Sequence, residues 1–284
     1  MNLEIVENLF KTEAFRVAPE GSLFWYTSGK LGPFYINTHF LYGSEGEANS
    51  LLSKIDALSK DRPALTAMLV KESAAQYEKN EIFRDVCNAL VKIIREKTKS
   101  NAYDYISGGE RRDWFFSVMC SSLLKKPHLT LYKNKEASLI IDGKYQEISH
   151  LKGARCLHIA DLVTEASSYE RAWIPAVSTL GGKMPMTVVV VDRKQGGVQL
   201  LKNLGVETFS LTEIDKGMFD LAAENSLITA NQYRMLVSYM KDTTASVNDF
   251  LKKNPDFIKK SLSSDEKTAM RARLCMEKGF YNIK

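Results

Sequence analysis

The stretch at residues 156–168, CLHIADLVTEASS, most constrains what this chain can fold into. It reads as a short buried strand, one carboxylate (Asp161), and a small hydroxyl-rich turn opening a segment of helical spacing, SYERAWIPAVSTLGG. The N–H groups of such a turn, with the positive end of the helix behind it, can hold a phosphate dianion. A second strand, MTVVVV at residues 186–191, runs straight into Asp192-Arg193-Lys194-Gln195-Gly196-Gly197. Ligands of an open parallel sheet bind beyond the carboxyl ends of its strands, so both charged clusters fall where a ligand is expected.

The rest of the chain supplies the layers. Residues 24–37 place aromatic strand formers around a Ser-Gly-Lys turn and a Gly-Pro, which predicts a hairpin with Lys30 at its tip. Lys30 there either adds positive potential at the mouth of a site or is merely solvated. Residues 45–100 have helical spacing, with Arg62-Pro63 as a break. A strand at 103–106 leads into Gly108, Gly109, Arg111 and Arg112; glycine lets backbone approach an anion, and arginine pairs bidentately with phosphate. A helix at 114–124, a strand at 129–132, a hairpin around Asp142-Gly143 and a strand at 206–211 follow. Strands each followed by a helical segment imply right-handed crossovers and a parallel sheet, hence an α/β fold. After Asp215 the pattern is helical, with capping boxes expected at Thr229–Gln232 and Ser263–Glu266.

Composition excludes more than it selects. No apolar run approaches the roughly 20 residues that span a bilayer, and the acidic start MNLEIVENLFK is unlike a basic signal peptide, so a cytoplasmic protein without a membrane partner is expected. Four dispersed cysteines without a C-x-x-C predict buried free thiols. The net charge of +5 is spread along the chain, and the roughly 20 residues before Ser22 are too few for a DNA-reading domain, so no nucleic-acid partner is expected. His39, His128, His150 and His158 read as packed or surface residues.

These clusters, in this order from about Phe24 to Asp215, resemble the type I phosphoribosyltransferases, and most closely the orotate phosphoribosyltransferases. The resemblance rests on Ser28-Gly29-Lys30 with Pro33-Phe34-Tyr35, the loop after Ile106, the turn from Asp161 to Ser168, and Val191-Asp192-Arg193-Lys194-Gln195-Gly196-Gly197 with the later Gly205. It implies a parallel sheet flanked by helices, with a hood at residues 1–100, an α/β core at 101–220 and a helical extension at 221–284. It also implies transfer of ribose 5-phosphate from 5-phosphoribosyl-1-diphosphate to orotate or a similar pyrimidine, with Mg²⁺ on the sugar-diphosphate, in a homodimer. Asp161 would hold the ribose hydroxyls; Leu162, Val163, Thr164, Glu165, Ala166, Ser167 and Ser168 would form the 5-phosphate turn; Arg111 and Arg112 would lie near the diphosphate. Lys133 and Lys135 would belong to a flexible basic loop that closes over the site and, with Asp161, would serve the chemistry. Arg193, Thr164, Tyr35 and Lys30 would face the base.

The sequence departs from the family pattern at defined points. Ala160 replaces the first of two adjacent acids, and Ala166 replaces a glycine, where a Cβ opposes a left-handed backbone. Glu165 sets a carboxylate beside a phosphate site, and Thr27 replaces a lysine. The loop at residues 132–138 has neither the family's histidine nor its glycine. These departures define an alternative, a non-catalytic binder of 5-phosphoribosyl-1-diphosphate or a nucleotide that acts as a regulator.

Overall fold

Strands buried on both faces read as unbroken apolar runs, and the two longest here sit side by side in one sheet. The computed structural model describes residues 2–99 and 101–282. Its strands in chain order are β1 (Phe15–Val17), β2 (Phe24–Trp25), β3 (Leu31–Gly32), β4 (Phe34–Ile36), β5 (Tyr105–Gly109), β6 (His128–Leu131), β7 (Ala137–Ile141), β8 (Lys144–Glu147), β9 (Arg155–Val163), β10 (Lys183–Asp192) and β11 (Glu207–Glu213). Seven form a sheet of order β11-β10-β9-β5-β6-β7-β8. The first five are parallel, and β7 and β8 run antiparallel at one edge. The expected α/β architecture, a parallel-dominated sheet flanked by helices, is therefore present.

The chain divides into two compact units, Met1–Ala14 with Thr38–Ile214, and Phe15–Asn37 with Asp215–Lys284. Divisions at residues 100 and 220 follow the chain, whereas each unit combines two separated segments.

The first unit holds the seven-stranded sheet and the helices α1 (Leu3–Lys11), α2 (Glu45–Ala57), α3 (Arg62–Lys79), α4 (Glu81–Lys97), α5 (Trp114–Leu124), α6 (Ile174–Thr179) and α7 (Gly197–Asn203). Arg62-Pro63 does not merely interrupt a helix. Asp61 caps the Ala64 N–H at 3.0 Å and proline occupies the first turn, so α3 starts there and three helices fill the region. Helix α5 is apolar on all sides and buried from Trp114 to Ser121, packed against β5 and β9 on one side and α3 and α4 on the other. Burial of Phe115 and of Phe116 contributes roughly 1.5–3 kcal/mol each. The hairpin between β7 and β8 turns on Asp142 (φ 50°) and Gly143 (φ 74°), the positive pair a two-residue turn demands.

The second unit joins β1 to β4 and β2 to β3 with the helices α8 (Lys216–Glu224), α9 (Ala230–Lys241), α10 (Thr243–Lys253), α11 (Phe257–Leu262) and α12 (Glu266–Glu277). The Trp25 indole N–H donates to Ser261 Oγ at 3.0 Å, and the Tyr281 hydroxyl accepts the Leu31 N–H at 3.1 Å. The Thr229–Gln232 capping box forms. The expected box at Ser263–Glu266 does not, because Asp265 takes the cap position and accepts the Thr268 N–H at 3.0 Å. All four cysteines are free and buried. Among the described residues no helix is long and apolar enough to cross a membrane.

Candidate active site

The turn after β9 forms the floor of a cavity in the first unit. Asp161 closes the apolar part of the strand, Thr164 and Glu165 bend the chain, and Ala166 turns it with φ 56°. The Cβ of Ala166 therefore does not forbid the left-handed conformation; it costs about 1–2 kcal/mol, which the surrounding structure offsets. A helix opens at Ser167, takes a π-helical turn over Tyr169–Trp173 and continues as α6. Its first N–H groups have no partner within the helix, which makes them donors for an anion.

The segment after β10 is fastened to this turn. The Arg193 N–H donates to the Val163 carbonyl at 2.9 Å, and the Gly197 N–H to the Thr164 carbonyl at 3.0 Å. A Cβ on Gly197 would stand 2.6 Å from that same carbonyl oxygen, so this glycine is a packing requirement. Asp192 accepts the Lys194 N–H at 2.8 Å, and burial raises its carboxyl above the usual range.

The opposite wall is the connection from β5 to α5. Gly108 and Gly109 lie inside the strand, not after it. Side chains on them would overlap Ser117 and the Trp173 indole, so these glycines serve packing rather than approach to an anion. The Glu110–Arg111 peptide is cis. Arg111 is paired with Asp56 of α2, while Arg112 is exposed at the cavity. Asp113 then enters the centre of the site. Its Oδ1 accepts the Asp161 N–H at 3.1 Å, its Oδ2 accepts the Gly109 N–H at 3.0 Å, and the same Oδ2 lies 3.4 Å from His158 Nε2. His158 Nδ1 is bonded to Ser107 Oγ at 3.0 Å, and its ring stacks on Trp173.

The two walls enclose about 340 Å³. Asp161 and Asp113 are 7% and 8% exposed there. The Thr38 hydroxyl donates to Asp161 Oδ2 at 2.7 Å, yet burial and then the charge of Asp113 raise the Asp161 carboxyl to about 7. Burial, with Arg112 and Arg111 nearby, lowers His39 to about 3 and keeps it neutral.

Of the residues singled out from sequence, Asp161, Leu162, Thr164, Glu165, Ala166, Ser167, Ser168, Arg111, Arg112 and Lys133 all line this cavity. Val163 turns into the core. Lys133 and Lys135 do not sit on a long loop. They occupy the short turn between β6 and β7, where the Tyr132 N–H donates to the Glu136 carbonyl at 2.9 Å and Lys135 has φ 69°. Glu136 is tied to Arg62, and the Lys133 N–H donates to Glu110 at 3.0 Å. Lys135 is not part of the cavity lining. Arg193 is half-buried beside the turn. Tyr35 and Lys30 belong to the second unit, where Tyr35 donates to the Trp25 carbonyl and receives from Arg271, and Lys30 Nζ lies 5.5 Å from the centre of the Phe280 ring. Sequence reasoning missed Asp113, Thr38 and Trp173. Asp113 carried one usable signal, an acid immediately before an apolar helix.

No family model matches the sequence. It is 27% identical over 160 residues to the orotate phosphoribosyltransferase of Saccharolobus solfataricus, a match covering 56% of this chain and 76% of that one. The fold superposes on Leishmania donovani UMP synthase with a TM-score of 0.56 at 20% identity, covering 84% of this chain and 42% of that longer protein. It superposes on orotate phosphoribosyltransferase from Aeropyrum pernix with a TM-score of 0.50 at 17% identity, covering 76% of this chain and 97% of that one. The chain has the type I phosphoribosyltransferase fold and is similar in sequence to orotate phosphoribosyltransferases, with degenerate motifs.

Proposed function

We propose that this chain transfers ribose 5-phosphate from 5-phosphoribosyl-1-diphosphate to a pyrimidine base, orotate or a close analogue. The observation that carries the reading is the convergence, on one cavity, of a helix-opening turn, a buried carboxylate and an exposed arginine. The volume of about 340 Å³ falls within the roughly 300–1,000 Å³ of small-molecule sites. In this reading the N–H groups of residues 164–168 hold the 5-phosphate, Asp161 accepts the ribose hydroxyls, and Arg112 with Lys133 meets the diphosphate. Breaking the anomeric C–O bond loads charge onto the leaving diphosphate, so fixed cations aimed at it stabilise the transition state most. Arg193, beside the turn, is the residue proposed for the base, and a homodimer is the proposed assembly.

Among the described residues no group of three or more His, Cys, Asp or Glu side chains is arranged to hold a metal ion. In this reading Mg²⁺ arrives with the diphosphate, whose oxygens supply its ligands.

The turn between β6 and β7 favours a second reading, binding without turnover. Its short, hydrogen-bonded form offers no long segment to close over the cavity and exclude water. Incubation with 5-phosphoribosyl-1-diphosphate, Mg²⁺ and orotate, uracil or adenine in turn, with nucleotide and diphosphate separated chromatographically, tests both. Nucleotide formed from a pyrimidine supports transfer. Saturable binding of the sugar-diphosphate without product supports the second reading, and neither binding nor product overturns both.

A further inference from the structure

The sheet order reverses between β5 and β9. From β5 the chain crosses through α5 to β6 on one side, and from β9 it crosses through α6 to β10 on the other. Ligand crevices open at such reversals. Here the opening has a definite start. Pairing of β5 with β6 continues to Gly109 and Leu131, and that of β9 with β10 to Val163 and Asp192. Pairing of β5 with β9 stops earlier, at Ser107 and His158, before either strand ends. That last pair is also tied through its side chains, Ser107 Oγ to His158 Nδ1 at 3.0 Å.

Beyond it, one side chain spans the gap. The Gly109 N–H donates to Asp113 Oδ2 at 3.0 Å, and the Asp161 N–H to Asp113 Oδ1 at 3.1 Å. A carboxyl group thus joins the strands where they no longer reach each other. Asp113 gives up the usual duty of an acid at a helix start to do so. Its carbonyl accepts the Ser117 N–H at 2.9 Å as α5 opens, but its side chain caps no N–H of that helix.

We propose that Asp113 is the positioning residue for recognition of a ligand's hydroxyls: by bridging the crevice it fixes the Asp161 main chain, and so the place where the Asp161 carboxyl meets a sugar diol. The inference rests on reading the cavity as a sugar-phosphate site with Asp161 on the ribose. Thr38 fixes the same residue from its other end, through Oδ2 at 2.7 Å. Both Asp113 oxygens already accept main-chain N–H groups, so Asp113 acts through Asp161 and does not itself hold the ligand. The phosphate turn is fastened separately, by the N–H groups of Arg193 and Gly197 on the Val163 and Thr164 carbonyls. Loss of the bridge therefore weakens the sugar end of the site and spares the phosphate end.

Asp113→Asn keeps the shape of the side chain but offers one acceptor oxygen and an NH₂ group, which leaves one of the two N–H groups facing a donor. Ribose 5-phosphate and inorganic phosphate are titrated calorimetrically into the wild type and this variant. Ribose 5-phosphate is expected to lose about tenfold or more, the worth of one hydrogen bond to a charged group, while inorganic phosphate stays within about twofold. Equal losses for the two ligands would mean that Asp113 merely supports the fold, and no loss for either would mean that Asp161 needs no bridge; both results overturn the proposal. A wild type without preference for ribose 5-phosphate overturns the sugar-phosphate reading and the recognition role together.

Amide hydrogen exchange judges the bridge itself. In the free wild type the Gly109 and Asp161 amides are expected to exchange as slowly as those of the paired residues of β9, and rapid exchange at both overturns the bridge. If Asp113→Asn does not fold, the wild type decides the recognition role as well. Ribose 5-phosphate is then expected to slow exchange at Asp161 and at Gly109, which does not line the cavity, beyond what inorganic phosphate does. Added protection confined to residues 164–168 overturns it.

Discussion

Gly109 lies directly against the Trp173 indole, so that a side chain on this glycine would overlap the ring carbons. Trp173 in turn stacks on His158 and lines the cavity, which makes the contact part of the site's scaffold. Gly109→Ala is expected to destabilise the first unit by roughly 1–3 kcal/mol, the range for overpacking a filled core. Adding Trp173→Leu in the same chain restores part of the loss. Urea unfolding monitored by circular dichroism reads both, and a neutral Gly109→Ala would show that the ring moves aside freely.

Ala166 presents the opposite case, a Cβ where the backbone is left-handed. Ala166→Gly removes about 1–2 kcal/mol of steric cost, against which the greater freedom of glycine in the unfolded chain costs about 0.4–1 kcal/mol. A net gain of about 0.5 kcal/mol is expected in urea unfolding. A loss above 1 kcal/mol would show that this buried methyl packs more than it strains.

Arginine charge is divided unequally at the cavity. Arg111 is engaged with Asp56, whereas Arg112 is exposed without an ion-pair partner among the described residues. Arg112→Ala is expected to weaken inorganic diphosphate binding about 10–100-fold, the worth of one charge-assisted contact of roughly 1.5–3 kcal/mol. Arg111→Ala weakens it less, and Asp56→Ala, which frees Arg111, strengthens it. Equal losses from the two arginine variants would contradict this ordering.

The β6–β7 turn separates its two lysines in the same way. Lys133 lines the cavity and Lys135 does not. Lys133→Ala should weaken diphosphate binding several-fold, with Lys135→Ala indistinguishable from the wild type in the same calorimetric titration.

Stability is expected to fall on acidification from pH 6.5 towards 4. Burial lowers His39 and His128 to about 3, so both are neutral in the fold and gain protons on unfolding once the pH is below about 6.5. Their contribution is complete above 6.5 and is lost as the pH drops towards 3. Asp161, raised to about 7, has the opposite sign: its contribution is complete below the unfolded value of 3.8 and fades as the pH rises through 7. Near pH 5, two protons gained against one released leave a slope of about 1.4 kcal/mol per pH unit. Urea unfolding at pH 6.5, 5.5 and 4.5 reads it, and His128→Gln cancels it. A flat wild-type profile would mean that the imidazoles are charged in the fold.

The sheet was legible because its central strands, with their unbroken apolar runs, announce burial on both faces, and the turn after Asp161 was legible because its small hydroxyl residues fit only a tight helix opening. The role of Asp113 was not. Its carboxylate is defined by two N–H groups, one from Asp161, 48 positions further along the chain, and no local pattern encodes that pairing. Gly108 and Gly109 were visible as glycines but not as packing sites, since the atoms that require them belong to Ser117 and Trp173. The flexible loop expected at Lys133 and Lys135 came from the family resemblance, whereas the register of the flanking strands pairs Leu131 with Ala137 and leaves a short turn there.

The second unit carries a consequence for biosynthesis. Trp25 meets Ser261 across 236 positions, and Leu31 meets Tyr281 across 250. A ribosome adds about 5–20 residues per second, so residues 15–37 emerge roughly ten seconds or more before their helices exist. The β1–β4 and β2–β3 pairs of that unit lie within one early segment and wait only for their helices, and a transcript cut short after Ile214 would release a chain whose first unit has all its segments while the second lacks α8 to α12.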